Sequence, residues 1–263
     1  MLRFTSCQAE IAESFCKALS VFIGKRLGVS TEFVGDIPWQ ERERLLDRGH
    51  IDVCWICGLP YVRKSNVKEG TIQLLVAPIM AHQRYAGTPV YYSDVVVHVD
   101  SDFQTFEDLG GVVWAYNEPG SHSGHNLVRY HLATSGVSNR YFSRVVETGS
   151  HQESLRMLLD RTIDATAIDS TVLEMAIARS PLIAGKVRTV TVLGPSPAPP
   201  WVVHRSVPQE TQEALRQEFL EMHENPEGQQ ILKCAGILRF ASVSDRDYDA
   251  IREMDRIAAG VNW

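Results

Sequence analysis

The chain has 263 residues, enough for one large domain or for two lobes with separate cores. Hydrophobic residues make up 44% and charged residues 22%, an ordinary globular balance, and no apolar run reaches the roughly 18 residues a membrane-spanning helix needs. The net charge of -6 excludes general nucleic-acid binding, which requires a basic face. A small anion is still admissible, because a few aimed N–H groups outweigh a diffuse negative field at short range.

In chain order, 2–6 reads as a strand and 10–27 as a helix in which Ile11, Phe15, Leu19, Phe22 and Ile23 recur every three or four positions. A short strand at 31–34, a polar helix at 38–48 stopped by Gly49, and buried strands at 51–56 and 71–78 follow. Then come a long strand at 91–99, a helical turn at 106–111, a strand at 112–116, a helix from Ser121 to about Thr134 and a strand at 141–147. Ser150-His151-Gln152-Glu153 has the capping-box pattern and opens a helix that buries Leu155, Leu158 and Leu159. A strand at 163–168, a helix at 170–179 and a strand at 187–193 lead to Gly194-Pro195-Ser196-Pro197-Ala198-Pro199-Pro200, read as a stiff connector because proline suits neither helix nor central strand. A strand at 201–204 and helices at 208–222, 226–234 and 244–259 complete the chain.

Alternating strands and helices imply an α/β fold with mostly parallel sheets flanked by helices. The long strand and the proline segment bracket a self-contained block, so two lobes are expected: 1–89 with 200–263, and an inserted 90–199, with hinge crossings near 88–93 and 194–201. Two crossings make a hinge, and ligands favour the cleft between such lobes. Met1 to Ser6 reads as a strand rather than as a basic and then apolar leader, so a cytoplasmic chain is expected, or a periplasmic one if a leader has been removed. Five cysteines (Cys7, Cys16, Cys54, Cys57 and Cys234), odd in number and without scaffold spacing, lean toward the cytoplasm.

Asn117-Glu118-Pro119-Gly120-Ser121-His122-Ser123-Gly124 follows a strand and opens a helix, where free N–H groups and serine hydroxyls can hold an anion. The plainer reading is a glycine-rich turn with a serine cap. It is not a Walker A loop, since Gly-Lys-Ser/Thr is missing. His151 can donate toward an anion from a first helical turn or be a surface histidine. Asp169 can hold a cation or simply cap a helix. Cys54-Trp55-Ile56-Cys57 lies in an apolar strand rather than at a helix N-terminus, which favours structural cysteines, while Cys57 to Tyr61 can line a cleft at a strand's C-terminal end. His122 and His125 lack the glutamate of a zinc helix, and no metal or other cofactor is expected.

The run Tyr91-Tyr92-Ser93-Asp94-Val95-Val96-Val97, Asp100-Ser101, Phe106-Glu107-Asp108-Leu109-Gly110-Gly111 and Gly120-Ser121-His122-Ser123-Gly124 resembles the phosphate/phosphite/phosphonate-binding components of ABC transporters, the PhnD-like type 2 periplasmic binding proteins. The likeness continues through Gly149-Ser150-His151, Ile163-Asp164-Ala165 and Asn225-Pro226-Glu227-Gly228, hence over nearly the whole chain. The resemblance implies a two-lobed type 2 fold, with ligand-binding roles on Ser121, His122, Ser123, Gly124, Tyr91 and His151, and a closing aromatic near Trp39. Where the family has Ser-Thr-Ser-Gly, His122 replaces the threonine, removing a hydroxyl and adding a group that is cationic below about pH 6.5. The acids that hold an ammonium in aminoethylphosphonate binders correspond to Thr171 and Pro199, so a simple oxyanion is expected unless Asp169 substitutes. The implied partners are a small oxyanion and an ABC permease, the implied state a monomer. The rival reading is a cytoplasmic lyase or dehydratase on the same fold with Asp169, His122 or His151 as acid or base.

Overall fold

A computed structural model describes residues 1–66, 70–136 and 140–261. In chain order the elements are β1 (Leu2–Ser6), α1 (Glu13–Leu27), β2 (Thr31–Phe33), α2 (Trp39–Asp47), β3 (Val53–Trp55), α3 (Gly58–Ser65), β4 (Ile72–Met80), β5 (Val90–His98), β6 (Val113–Tyr116), α4 (Leu127–Thr134), β7 (Arg144–Glu147) and α5 (His151–Leu159). They continue with β8 (Ala165–Asp169), α6 (Ser170–Arg179), β9 (Val187–Pro197), β10 (Trp201–His204), α7 (Gln209–Glu221), α8 (Pro226–Cys234), β11 (Ile237–Ala241) and α9 (Asp249–Ala258). The chain forms two compact units, Met1–Val90 with Pro197–Asp249, and Tyr91–Ser196 with the segment from Ala250 on.

The first unit holds a six-stranded sheet in the order β11-β4-β10-β3-β1-β2. β1 runs parallel to β2 and β3, whereas β10, entering from late in the chain, is antiparallel to β3 and β4. α1 buries Phe15, Leu19, Phe22 and Ile23 and ends at Gly28, whose φ of 66° is the left-handed cap glycine adopts without strain. The core is a run of aromatics. Trp55 stacks on Trp201 at 5.7 Å between ring centroids, Phe15 meets Trp55 edge-on at 5.8 Å, and Phe219 bridges Trp201 and Phe240 at 5.2 and 5.1 Å. Such pairs contribute roughly 0.5–1.5 kcal/mol each beyond the area they bury.

The second unit holds a five-stranded sheet in the order β7-β6-β8-β5-β9. β6 is parallel to β7 and β8, and β5 is antiparallel to β8 with Ser93 opposite Asp169. Its core gathers Val95, Val97, Trp114, Leu127, Val128, Phe142, Ala165 and Ala167. Among the described residues no helix is long and apolar enough to cross a membrane.

Four sequence expectations change. The helix α3 and the strand β11 were not anticipated. Pro60 hides α3 but sits in its first turn, where the N–H it lacks has no intrahelical acceptor anyway. β11 is short and follows α8 directly through Gly236. The proline segment is not only a connector: β9 continues through Pro195 (after a cis bond) to Pro197, which an edge strand tolerates because one side of it needs no donors. The last helix groups with the second unit rather than with the first: Met254 and Val261 pack on the second core, and Arg129 donates from Nε and Nη2 to the Val261 carbonyl at 3.1 and 2.7 Å.

Candidate functional site

β6 delivers the chain to a helix start of unusual shape. His122–Asn126 form a single π-helical turn, with the Asn126 N–H reaching back five residues to the Ser121 carbonyl at 3.0 Å, before α4 continues. Such turns concentrate at functional sites. The wider turn leaves the amides of its first residues without intrahelical acceptors, and the Ser121 hydroxyl oxygen accepts only that of Gly124, at 3.0 Å. Every residue from Ser121 to Asn126 is buried, an uncommon fate for so polar a run.

Each side chain has a defined place. Ser123 Oγ lies 3.2 Å from His151 Nε2, and Ser150 caps the helix that presents His151 by accepting from the Glu153 N–H at 3.1 Å. The Ser93 hydroxyl donates to the Ser123 carbonyl at 2.9 Å, tying the turn to β5. The ring of His122 is turned inward and spoken for at both nitrogens: Nδ1 faces the Asn126 amide nitrogen at 3.2 Å, and Nε2 meets Ser196 Oγ at 3.0 Å. With the amide donating to Nδ1, the ring carries its proton on Nε2 and donates to Ser196. Tyr91 is buried with its ring 6.4 Å from that of His122.

Burial sets the electrostatics. Desolvation pulls both His122 and His151 down to about 4, with Asp255 of α9 opposing weakly at His122. The expectation that His122 turns cationic below pH 6.5 is therefore corrected: in a site this dry the imidazolium is the costly form. Asp169 goes the other way, pushed up to about 6 by desolvation while the bonds it accepts from Thr171 oppose the shift. Those bonds, 2.8 Å to the Thr171 N–H and 2.7 Å to its hydroxyl, make Asp169 the N-cap of α6, the plainer of its two sequence readings. It neighbours the turn through Ser93, its partner in the β5–β8 ladder.

Gly124 is required by close approach. A Cβ there would overlap the Asn117 amide oxygen and stand 3.1 Å from His151 Cε1. The Asn117 Oδ1 and His151 Nδ1 atoms are buried and lack a hydrogen-bond partner among the described residues. Sequence reasoning quoted Asn117 only as part of the motif and missed Asn126, Ser93 and Ser196 as neighbours of the turn. A polar residue two positions before a Pro-Gly turn was the available signal for Asn117; Ser93 and Ser196 are brought in by sheet pairing that no local pattern announces.

Seven of the ten sequence candidates, Ser121, His122, Ser123, Gly124, Tyr91, His151 and Asp169, lie in the second unit on or around this turn. The other three belong to the first. Trp39 opens α2, half-buried, and its carbonyl lies 3.8 Å from the Cys7 sulfur. Cys57 is the half-buried residue before α3. Tyr61 is buried, donates to Asp245 Oδ1 at 2.6 Å and packs edge-on against Tyr248 at 4.8 Å. Among the described residues no group of three or more His, Cys, Asp or Glu is placed to hold a metal.

Two mixed α/β units, one carrying a polar helix start after an interior strand, define a type 2 periplasmic-binding-protein fold. Residues 6–248 match the profile of the family described as the phosphonate periplasmic substrate-binding protein of ABC transporters, and the chain belongs to that family. It is 21% identical over 209 residues to the phosphonates-binding periplasmic protein of Escherichia coli K12, which covers 78% of this chain; the chain spans 60% of that relative's length. PhnD1 from Prochlorococcus marinus (MIT 9301), solved in complex with methylphosphonate, superposes with a TM-score of 0.86 at 16% identity, covering 99% of this chain and 98% of its own. A binding-protein component of an ABC phosphonate transporter from Pseudomonas aeruginosa gives 0.85 at 16%, covering 98% and 86%. At such identities the structural likeness speaks for the fold. The family is one of binding proteins described as periplasmic, which supports neither the enzyme alternative nor the cytoplasmic expectation.

Proposed function

We propose that the Ser121–Gly124 turn binds a small phosphorus oxyanion, of the phosphonate, phosphite or phosphate type, and that the chain works as the solute-binding protein of an ABC-type phosphonate uptake system. Its partner is then a permease, its compartment the periplasm, and its working form a monomer. The observation that supports this reading best is the π-turn itself: a buried helix start with unshared amides and two serine hydroxyls, flanked by histidines held neutral. Ser121 already accepts from Gly124, so its O–H is left to donate outward. Ser123 donates likewise if His151 offers it an N–H from Nε2. His122 contributes its backbone amide rather than its ring, because the ring is spent on Ser196 and Asn126.

Neutral dipoles aimed at a desolvated anion need no cationic side chain. A ligand with an ammonium tail is disfavoured, since Asp169 is engaged as a helix cap and held partly protonated near pH 6. Calorimetric titration with methylphosphonate, phosphite, phosphate, sulfate and aminoethylphosphonate tests the reading. Saturable binding of the phosphorus oxyanions, weakened by Ser123→Ala, is expected; no heat with any of the five removes it.

A further inference from the structure

The sequence draws attention to Cys54 and Cys57 by their CxxC spacing, but the fold gives Cys54 a different neighbour. β1 and β3 are parallel, with Thr5 opposite Cys54 and Ser6 opposite Trp55. The chain continues past β1 with the Cys7 N–H bonded to the Trp55 carbonyl at 2.9 Å. Side chains alternate along a strand, so Cys7, two residues after Thr5, returns to the face that Cys54 occupies. The two sulfurs lie 3.7 Å apart, in contact, although 47 positions separate them in the chain. Cys7 is half-buried, whereas Cys54 is buried.

We propose that Cys7 and Cys54 are a covalent modification site: they form an intramolecular disulfide on exposure to a disulfide oxidant, whether a low-molecular-weight disulfide or the active-site disulfide of a thiol oxidoreductase. The thiolate of Cys7, the less buried of the two, attacks one sulfur of the oxidant, and the oxidant's S–S bond breaks, releasing one thiolate. The Cys54 thiolate then attacks Cys7 Sγ in the mixed disulfide and expels the second. Two protein thiols and one disulfide become one protein disulfide and two small thiols, so the two electrons end on the oxidant and the two protons leave with its thiols. Closing 3.7 Å to the bonded separation of about 2.05 Å asks each sulfur to move by under about 1 Å. The bond would staple the ends of two core strands of the first unit across a long loop, the situation in which a crosslink restricts the unfolded chain most. The inference stands apart from the anion site: the staple lies within the first unit and needs no ligand.

The contact that brings the sulfurs together also slows their reaction. The hydrogen bond between them holds the Cys7 proton in place, and burial adds to it, so its thiol is pushed well above the ordinary range and exchange is expected to need mildly alkaline buffer. Cys16 is a poor competitor, since burial pushes its thiol up to about 12.

The test takes the full chain, fully reduced, into oxidised glutathione at about pH 8.5, with intact mass, peptide mapping and melting as readouts. The expected product is lighter by two hydrogens, yields one crosslinked peptide pair containing Cys7 and Cys54, and melts roughly 5–10 °C higher than the reduced chain. Cys7→Ser abolishes the mass loss and the rise in melting temperature, whereas Cys16→Ser, Cys57→Ser and Cys234→Ser keep both. Because Cys7 is only half-buried, Cys7→Ser is expected to fold, and its circular dichroism checks this. Retention of all free thiols, stable glutathione adducts, or a crosslink joining Cys54 to Cys57 would overturn the proposal.

Discussion

Each unit carries an interior strand, paired in parallel on at least one side, that leads into a helix start, and the two starts differ in what they bury. After β3 the chain enters α3 through Cys57-Gly58-Leu59-Pro60; no side chain caps it, and Leu59 and Tyr61 are driven into apolar and aromatic contacts. After β6 it enters α4 through Ser121-His122-Ser123-Gly124, capped by Ser121, widened into a π-turn and buried among hydroxyl, amide and imidazole groups. Both helices carry the same partial positive charge at their first turn. The dipole alone therefore does not distinguish the two starts; the polar lining and the close approach of Asn117 and His151 to Gly124 do.

The largest test of that contrast is Gly124→Ala. Its Cβ meets the Asn117 amide in a buried place, so destabilisation of about 2–3 kcal/mol is expected in chemical denaturation, with loss of oxyanion binding. Gly124→Ala/Asn117→Ala should cost clearly less than the sum of the two single changes, because the second removes what the first collides with. Additive costs would mean that the close approach does not constrain the turn.

Acid should act on the second unit through its two buried histidines. Both are held at about 4 against 6.5, so the unfolded chain binds more protons between those values, and stability is lost as pH falls from 6.5 toward 4. Asp169, held at about 6 against 3.8, works in the opposite sense: the folded chain takes its proton first, and stability is gained as pH falls through 6. Two histidines outweigh one carboxyl, for a net loss of roughly 2 kcal/mol between about pH 7 and 5. Urea unfolding at the two pH values reads this, and His151→Gln should flatten the slope.

Ser123→Ala removes a hydroxyl that touches His151, and a ten- to thirtyfold weaker Kd for methylphosphonate is expected by calorimetry, about 1.5–2 kcal/mol. The smallest effect belongs to the first unit. Tyr61→Phe deletes the bond to Asp245, lowering stability by about 1 kcal/mol and leaving the Kd within about twofold. A large loss of affinity there would support Tyr61 as one of the ligand contacts that the sequence suggested.

Much of the fold was legible because period and punctuation agree along the chain: α1 shows its buried face, Gly49 marks the stop after α2, and Ser150 announces α5. What escaped was set by tertiary context. Pro60 disguises α3, and the prolines of β9 are tolerated only because that strand lies at an edge, which sheet order decides. At the site, the serines and His151 stood out through the family resemblance of their motifs, whereas spacing alone left an ordinary turn and a surface histidine open. The inward turn of the His122 ring was not, since it depends on Ser196, 74 positions away. Nor was the neutrality of the histidines, which follows from burial and not from residue type.

The placement of α9 bears on how this protein is made. A ribosome releases the N-terminal end first, yet the second unit's core includes Met254 and Val261, and the first unit needs β10 and β11 to complete its sheet. The first sheet is complete once β11 has emerged, whereas the second core still waits for α9. A chain cut before α9 would hold every strand of both sheets but leave uncovered the apolar side of the second core on which Met254 and Val261 pack, the kind of surface that chaperones and proteases recognise.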